Sequence, residues 1–260
     1  IALSFTVVSV CCLCFLGVLL YKQFSKKEET LMRENSRQLL EQTAINLEDY
    51  LRSMRRISDA MYYSVIKDKD LEQEGMDEEM TLLYEANKDN LVSIACYTYD
   101  GGLVEATPVA NEKRDVTVAL QDWFVDAKNQ LENFHFSTPH VQNLFDDLTY
   151  RYYWVVSLSR TVDLTYGGRS TLGVLLVDMN YSSIERILDK ANSASVSSEY
   201  VYLMDPNGEI IYHPKQELIR MGRFQENNQE AVHASDESWK EMFGGKQRIV
   251  TQKTISYTGW

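Results

Sequence analysis

The stretch from Tyr21 to Lys69 contains neither glycine nor proline, the two residues that most often interrupt a helix. Within it, residues recur at alternating spacings of four and three, which places them along one face of a helix. This seam consists of Leu40, Ala44, Leu47, Leu51, Met54, Ser58, Met61 and Val65, with Ser58 as its one polar member. The pattern predicts a long stalk helix over residues 22–69 that packs along its length, against its own domain or against a second copy.

The segment before the stalk, Ile1–Tyr21, has no charged side chain. A helix of this length spans ~30 Å, the thickness of the hydrocarbon core of a bilayer. A cleaved signal peptide is one alternative, but its apolar core is shorter and a small-residue cleavage site follows it. A lipid-modified Cys11 is another, but Val8-Ser9-Val10 lacks the small residues that cleavage needs. We predict a transmembrane helix over Ile1–Tyr21 that continues into the stalk.

The composition of the chain limits which partners it can bind and bears on where in the cell it is located. The chain has 260 residues and a formal net charge of −12, so it lacks the basic face that nucleic-acid binding requires. Three of the four cysteines lie in Ile1–Tyr21, which leaves Cys96 without an intramolecular disulfide partner. Long domains cross a membrane largely regardless of flanking charge. Lys22, Lys26 and Lys27 after the anchor would by themselves favour the cytoplasm for that side, so we place the anchor in the plasma membrane and the remaining chain outside the cytoplasm partly on the resemblance described below.

Two hairpin patterns recur about a hundred residues apart. In the first, β-type runs at residues 91–99 and 103–107 flank Asp100-Gly101-Gly102. In the second, runs at residues 200–204 and 209–214 flank Asp205-Pro206-Asn207-Gly208. Glycine in each turn tolerates the positive φ that tight hairpins need. The repetition predicts two modules built on the same plan.

Further elements follow from local patterns. Helical spacing predicts helices over Val116–Leu131, Tyr181–Ala191 and Asp236–Phe243. Aromatic and β-branched residues predict strands over Tyr150–Arg160 and Lys246–Lys253, and Leu172–Met179 is apolar enough for a buried central strand.

The order of these motifs resembles a known family. Asp122-Trp123-Phe124 on a helix and Leu172–Asp178 are similar to the membrane-distal half of a double Cache domain. Tyr202–Pro214 and the terminal Tyr257-Thr258-Gly259-Trp260 resemble its membrane-proximal half. The resemblance implies an α+β fold: an N-terminal transmembrane helix, a long stalk helix, and two PAS-like (Cache) modules with antiparallel sheets. The distal module then spans residues 70–192 and the proximal one residues 193–260, truncated before a second transmembrane helix.

The sequences of Arg151–Arg160 and Gly173–Asn180 are most similar to those of Gram-positive sensor histidine kinases of the YesM type. That resemblance implies the extracytoplasmic ligand-sensing module of a two-component kinase, with the kinase itself after Trp260. The sensor module of a chemotaxis receptor or of a nucleotide-cyclase receptor is the alternative. A membrane-tethered enzyme or an adhesion domain is a third reading.

No catalytic constellation occurs in the sequence. A Gly-x-Ser-x-Gly elbow, a His-Glu-x-x-His helix and a phosphate-binding loop are all absent. His135 and His140 are close in sequence, but neither has a cysteine or an acid at ligand spacing. We therefore expect no enzymatic activity from this segment, no metal and no cofactor.

The candidate site is a small-ligand pocket in the distal module. Such pockets combine apolar walls with a few polar groups that fix orientation, and the candidates are Trp123, Phe124, Arg151, Tyr153, Trp154 and Asp178. Asp178 ends an apolar run and needs a partner: a ligand cation or hydroxyl, or else Arg151, Arg160 or a backbone N–H. The aromatic residues have ordinary core packing as their alternative. Strand alternation also means that Tyr153 and Trp154 cannot both face the pocket.

The same helix bears on the ligand. Amino-acid-binding double Cache domains resemble it at Trp123, Phe124 and Ala127, but their motif has an arginine and a tyrosine where this chain has Gln121 and Val116. The missing arginine argues against an α-amino acid and leaves sugars or other polar small molecules open. For the oligomeric state we expect a homodimer.

Overall fold

In the computed structural model, the described residues are 2–108, 112–113, 116–129, 134–145, 153–194, 199–234 and 236–260. The chain begins with helix α1, Ala2–Ala60, which a π-helical turn, Met61–Ile66, extends. The backbone then becomes extended at Lys67. The long helix predicted from the glycine-free and proline-free stretch is confirmed, and it ends three residues before the predicted boundary.

The start of α1 coincides with the segment for which the sequence predicts a transmembrane helix, Ile1–Tyr21. Among the residues that the structure describes, no helix contains a stretch long and apolar enough to cross a membrane. The transmembrane prediction is therefore not confirmed.

The seam of α1 packs on the protein's own sheet. Leu47, Leu51, Met54 and Met61 are almost completely buried, in one core with residues of the sheet. Burying a side chain of this size contributes about 1.5–3 kcal/mol, so the stalk and the sheet form a single cooperative unit. Ser58, the polar member of the seam, is also buried, and its hydroxyl has no hydrogen-bond partner.

The main sheet is antiparallel and has the strand order β2-β1-β6-β5-β3 among the described residues, with β4 also paired to β5. Its strands are β1 Leu91–Thr98, β2 Leu103–Thr107, β3 His135–Phe136, β4 His140–Val141, β5 Trp154–Tyr166 and β6 Arg169–Asn180. The helices of this region are α2 Leu71–Glu74, α3 Asp77–Asn87, α4 Asp122–Asn129 and α5 Ser182–Ala194, with a 3-10 turn at Val118–Leu120.

The two faces of the sheet have different neighbours. Successive side chains of a strand point to opposite faces, and in β6 Leu175 and Val177 lie in the core shared with α1. Val174 and Leu176 lie in a second core beneath α4. The β6 register therefore separates a stalk-facing side of the sheet from an α4-facing side.

The rest of the chain forms two small antiparallel hairpins. Its elements are β7 Leu203–Met204, β8 Ile210–Tyr212, α6 Gln216–Arg220, α7 Asn228–His233, β9 Ser238–Phe243 and β10 Lys246–Thr251. The helix predicted over Asp236–Phe243 is wrong, because those residues pair with β10. Gly244 and Gly245 have φ values of 57° and 77°, the geometry of a two-residue turn that favours a hairpin.

A buried polar network connects these hairpins. Glu226 accepts hydrogen bonds from the Tyr200 hydroxyl at 2.6 Å, from His213 Nε2 at 3.1 Å and from the Arg248 guanidinium. Arg248 also pairs with Glu241. The carboxylate of Glu226 is wholly inaccessible to solvent, so these contacts replace its hydration.

This network makes stability depend on pH. Burial alone would raise the pKa of Glu226, but these three hydrogen bonds and a fourth from the Asn227 backbone N–H outweigh burial and lower the pKa from 4.5 to about 2. A depressed acid pKa stabilises the fold at pH values above 4.5, and this contribution is lost as the pH falls toward 2.

We expect Glu226→Gln to lose about 3 kcal/mol of unfolding free energy at pH 7 relative to the wild type, and much less at pH 3. Urea denaturation of both proteins at the two pH values measures the difference. A difference that is the same at pH 7 and pH 3 would contradict the role of the Glu226 charge.

The hairpin β9–β10 also contacts the stalk directly. Arg33 donates a hydrogen bond to the Ser238 hydroxyl, and Lys240 pairs with Glu29, each at 2.5 Å. The middle of α1 therefore contacts β9, whereas its C-terminal part packs on the main sheet.

Candidate functional site

Asp178 lies on the α4-facing side of the main sheet and is only 1% exposed. In register it is opposite Ser93 of β1 and Ser157 of β5. Ser93 donates a hydrogen bond to its Oδ2 at 2.9 Å, and Ser157 donates to its Oδ1 at 2.5 Å. Three neighbouring strands therefore place a carboxylate and two hydroxyls in one row.

The carboxylate of Asp178 has no ion pair among the contacts of the described residues. Arg160, one of the partners that the sequence left open, pairs instead with Asp59 at 2.8 Å. Burial raises the pKa of Asp178 from its usual 3.8, although the serine hydroxyls and the nearby imidazole of His140 act in the opposite direction. A buried carboxylate held by two neutral donors is undercompensated, so a positively charged group would bind favourably beside it.

His140 extends the row by one hydrogen bond. Its Nε2 lies 3.3 Å from the Ser157 hydroxyl, whose single proton is donated to Asp178. Its Nδ1 lies 3.0 Å from the Thr138 carbonyl oxygen, so the donor between His140 and Ser157 depends on the tautomer, and the contacts run in the order His140, Ser157, Asp178. The side chain is half-buried at the edge strand β4, so this order leads from Asp178 toward the sheet edge.

Aromatic residues of α4 cover this side of the sheet. Trp123 and Phe124 are buried, and their ring centroids lie 5.7 Å and 6.5 Å from that of Tyr97 on β1. Ser159 and Thr161 of β5 each donate a 2.7 Å hydrogen bond to a backbone carbonyl of α4. These bonds fix α4 on the sheet and therefore fix the aromatic rings.

Tyr97 differs from its neighbours because its buried hydroxyl has no hydrogen-bond partner. Burial raises the pKa of Tyr97, and the charges of Asp178 and Glu112 raise it further. The hydroxyl therefore stays protonated and lies within electrostatic reach of the Asp178 carboxylate.

The structure gathers three of the predicted pocket residues: Trp123, Phe124 and Asp178 lie on the same side of the sheet. Tyr153 is 37% exposed and immediately precedes β5. Trp154 is 45% exposed and, by strand alternation, lies on the stalk-facing side with Val156. The Arg220 guanidinium lies 5.8 Å from its ring. Arg151 lies outside the described residues.

Four polar residues of this region were not among the candidates: Ser93, Tyr97, His140 and Ser157. Ser93 and Ser157 interrupt apolar strands, which is a signal that the sequence does contain. Their connection to Asp178 depends on strand register, which the sequence does not give. Among the described residues, no group of three or more potential metal ligands is assembled.

A cavity of about 550 Å³ lies elsewhere, between α1 and the hairpin β9–β10. Its walls include Leu39 and Leu40 of the stalk together with Tyr200, Tyr202 and Arg248. None of the predicted pocket residues lines it. The cavity and the Asp178 row are therefore distinct in position.

Comparison with known families classifies this architecture. The family model of the Cache domain (dCache_1) matches residues 21–260. The chain belongs to the Cache domain family. Cache domains are extracytoplasmic sensor domains of membrane receptors, so the expectation of a sensor without catalytic activity is confirmed.

Solved structures support the same fold. The ligand-binding domain of the Pseudomonas aeruginosa chemoreceptor PctC, in complex with GABA, has a TM-score of 0.64 and 14% identity, covering 86% of this chain and 93% of that one. The ligand-binding domain of Campylobacter jejuni Tlp3 with L-norvaline has a TM-score of 0.62 and 13% identity, covering 87% of each chain. The ligand-binding domain of Pseudomonas fluorescens CtaA with L-serine has a TM-score of 0.60 and 17% identity, covering 87% of this chain and 93% of that one. No curated protein matches this Cache domain.

These neighbours overturn one prediction about the ligand. The sequence argues against an α-amino acid, because Gln121 occupies the position of an arginine in the amino-acid motif. That prediction is wrong as an exclusion, because the solved domains of this fold hold amino acids.

Proposed function

We propose that this Cache domain is the ligand-binding module of a membrane receptor and that the ligand binds on the α4-facing side of the main sheet, at Asp178. The observation that carries the proposal is the burial of the Asp178 carboxylate beside neutral donors. A group in this state gains the most from a ligand that brings a positive charge.

The ligand class that fits is a small molecule with an ammonium group, and amino acids are our first candidates. Asp178 would accept from the ammonium, while Trp123 and Phe124 provide apolar walls. Glu112 adds negative charge near Tyr97, which favours a cation further. The solved neighbours in complex with GABA, L-norvaline and L-serine support this choice.

The proposed organisation has two modules outside the cytoplasm, at residues 70–192 and 193–260, with α1 as the stalk. Ligand binding would shift the protein between two arrangements, to the extent that the ligand binds them with different affinity. The contacts of α1 with both the main sheet and β9 support the stalk as the output element.

Two output domains are candidates. The neighbours named above are chemoreceptor domains, which favours a chemotaxis receptor. The amino-acid sequence of residues 151–160 and 173–180 favours a sensor histidine kinase of the YesM type. The sequence that follows Trp260 in the gene decides between them: a kinase core with a phosphoacceptor histidine, or a long signalling coiled coil.

A thermal-shift experiment with residues 21–260 tests the ligand site. We expect at least one of GABA and the proteinogenic L-amino acids to raise the melting temperature, by the equivalent of about 2.7 kcal/mol at a hundredfold excess over Kd. Asp178→Asn should weaken that ligand at least ~30-fold, because it removes one partner of a buried charge pair. It should leave the unliganded protein as stable as the wild type, since the cost of burying a charge disappears.

Asp126→Asn on the exposed side of α4 is the matched control and should bind like the wild type. Full retention of the ligand-induced shift in Asp178→Asn would place the ligand elsewhere. A panel that produces no shift in the wild type would contradict the amino-acid class.

A further inference from the structure

We infer that the Tyr97 hydroxyl is a second ligand-binding group of this site, and that it donates a hydrogen bond to an acceptor oxygen of the same ligand whose ammonium group pairs with Asp178. The inference rests on the proposed function and adds a specificity-determining residue to it. It also defines the ligand class more narrowly, as a small molecule with an ammonium group and an acceptor oxygen.

The backbone places Tyr97 on the correct side of the sheet. Ser93, Ala95 and Tyr97 alternate along β1, and Ser93 is hydrogen-bonded to Asp178, while Ala95 and Tyr97 lie in the core beneath α4. The aromatic ring of Tyr97 is held against Trp123 at a centroid distance of 5.7 Å. The orientation of the hydroxyl is therefore fixed by packing and does not require a hydrogen bond of its own.

The hydroxyl is an exception among the buried tyrosines of the chain. Tyr50 donates to Asn180 O at 2.9 Å, and Tyr181 donates to Ile211 O at 2.7 Å. The Tyr97 side chain is completely buried, and its hydroxyl has no hydrogen-bond partner among the residues that the structure describes. Buried polar groups are nearly always paired, and an exception calls for an explanation. A partner supplied by the ligand satisfies this group only in the bound state.

The chemistry of the hydroxyl selects the ligand atom. Burial and the charges of Asp178 and Glu112 keep the phenol protonated, so it can donate one hydrogen bond. A carboxylate or carbonyl oxygen is the natural acceptor. Gln121, immediately before α4, leaves the site without the arginine expected from the amino-acid motif. A neutral tyrosine donor can bind an acceptor oxygen without adding a positive charge that would repel the ammonium group.

Tyr97→Phe tests this role, because it keeps the ring and deletes only the hydroxyl. Without ligand, we expect the variant to melt at or above the wild-type temperature, since an unpaired buried group is removed. The affinity for the amino acid that shifts the wild type should fall about 10-fold to 100-fold, as for a hydrogen bond to a charged group. The primary amine that lacks the carboxylate of that amino acid should bind both proteins equally.

Tyr181→Phe is the matched control, because its hydroxyl has a protein partner. It should melt at a lower temperature than the wild type and keep the wild-type affinity. Isothermal titration calorimetry gives the affinities, and scanning calorimetry gives the melting temperatures.

The outcomes separate this inference from the proposed function. A lower melting temperature of unliganded Tyr97→Phe, comparable to that of Tyr181→Phe, would show a structural partner and overturn the inference without any ligand. Unchanged amino-acid affinity in Tyr97→Phe would overturn it while leaving the proposed function intact. If no panel member binds the wild type, the proposed function fails, and the inference that rests on it fails with it.

Discussion

Replacing Glu226 with alanine is expected to lower the free energy of unfolding by about 3–5 kcal/mol, the cost of removing one partner from a buried ion pair. The substitution leaves the Arg248 guanidinium with Glu241 alone, and it deprives His213 Nε2 of its acceptor. It also removes the carboxylate that accepts from the Tyr200 hydroxyl. The buried His213 and the half-buried Tyr200 and Arg248 would each lose a partner at once, which makes this the most destabilising single substitution that we predict.

Glu217→Ala provides the control for Glu226→Ala. The Glu217 side chain is 74% exposed and pairs only with Arg220 at 3.5 Å, and such surface pairs contribute little. We expect its unfolding free energy to stay within about 0.5 kcal/mol of the wild type. Urea denaturation measures both variants, and equal effects of the two substitutions would argue that the Glu226 network contributes nothing beyond a surface ion pair.

Gly173→Ala is expected to lower the free energy of unfolding by about 1–3 kcal/mol, the usual cost of inserting atoms into a well-packed core. An added Cβ would lie 2.3 Å from Leu164 Cδ1 and 2.5 Å from the backbone oxygen of Tyr97. The leucine can move, but the backbone oxygen belongs to the paired strand β1. Relief therefore requires the β1–β6 pairing itself to shift.

Gly102→Ala is the matched control for Gly173→Ala, because neither glycine has a positive φ. Its added Cβ would lie 3.0 Å from the Thr98 hydroxyl, a side-chain atom at the end of β1 that can move without shifting the backbone of a strand. We expect a smaller loss, below about 1 kcal/mol. Denaturation curves in urea compare the two variants, and a larger loss for Gly102→Ala would contradict the packing argument.

The elements that the sequence predicts best are those whose pattern follows from one face of burial. The seam of α1 and the strand at Leu172–Met179 are of this kind, because apolar spacing and burial have the same cause. The helix prediction for residues 236–243 was wrong for the opposite reason. Their local pattern is compatible with a helix, and the pairing with β10 that makes them a strand lies across the turn at Gly244-Gly245.

The candidate site could be predicted only in part. Asp178 stands out as a charge at the end of an apolar run, and Trp123 and Phe124 mark an amphipathic helix. The partners Ser93 and Ser157 follow from strand register, which is a tertiary property. Tyr97 could not be distinguished from an ordinary core tyrosine, because the absence of a hydrogen-bond partner is visible only in three dimensions.

The error about amino acids has a related cause. One missing residue, the arginine that Gln121 replaces, was used to argue against the whole class of amino-acid ligands. A site for a zwitterion has two ends, and the α4 motif bears only on the carboxylate end. In the proposed site, Asp178 would bind the ammonium end from a different element, and no local comparison of the α4 motif includes it.

Strand β6 has a mechanical consequence. Asp178 and Val177 are adjacent residues whose side chains point to opposite sides, the first toward α4 and the second into the core with the stalk. The proposed ligand and the stalk helix would thus stand back to back, separated by the thickness of one β-sheet. Because such interiors compress little, a displacement of β6 on one side must appear on the other, and no longer chain of residues is needed to carry it.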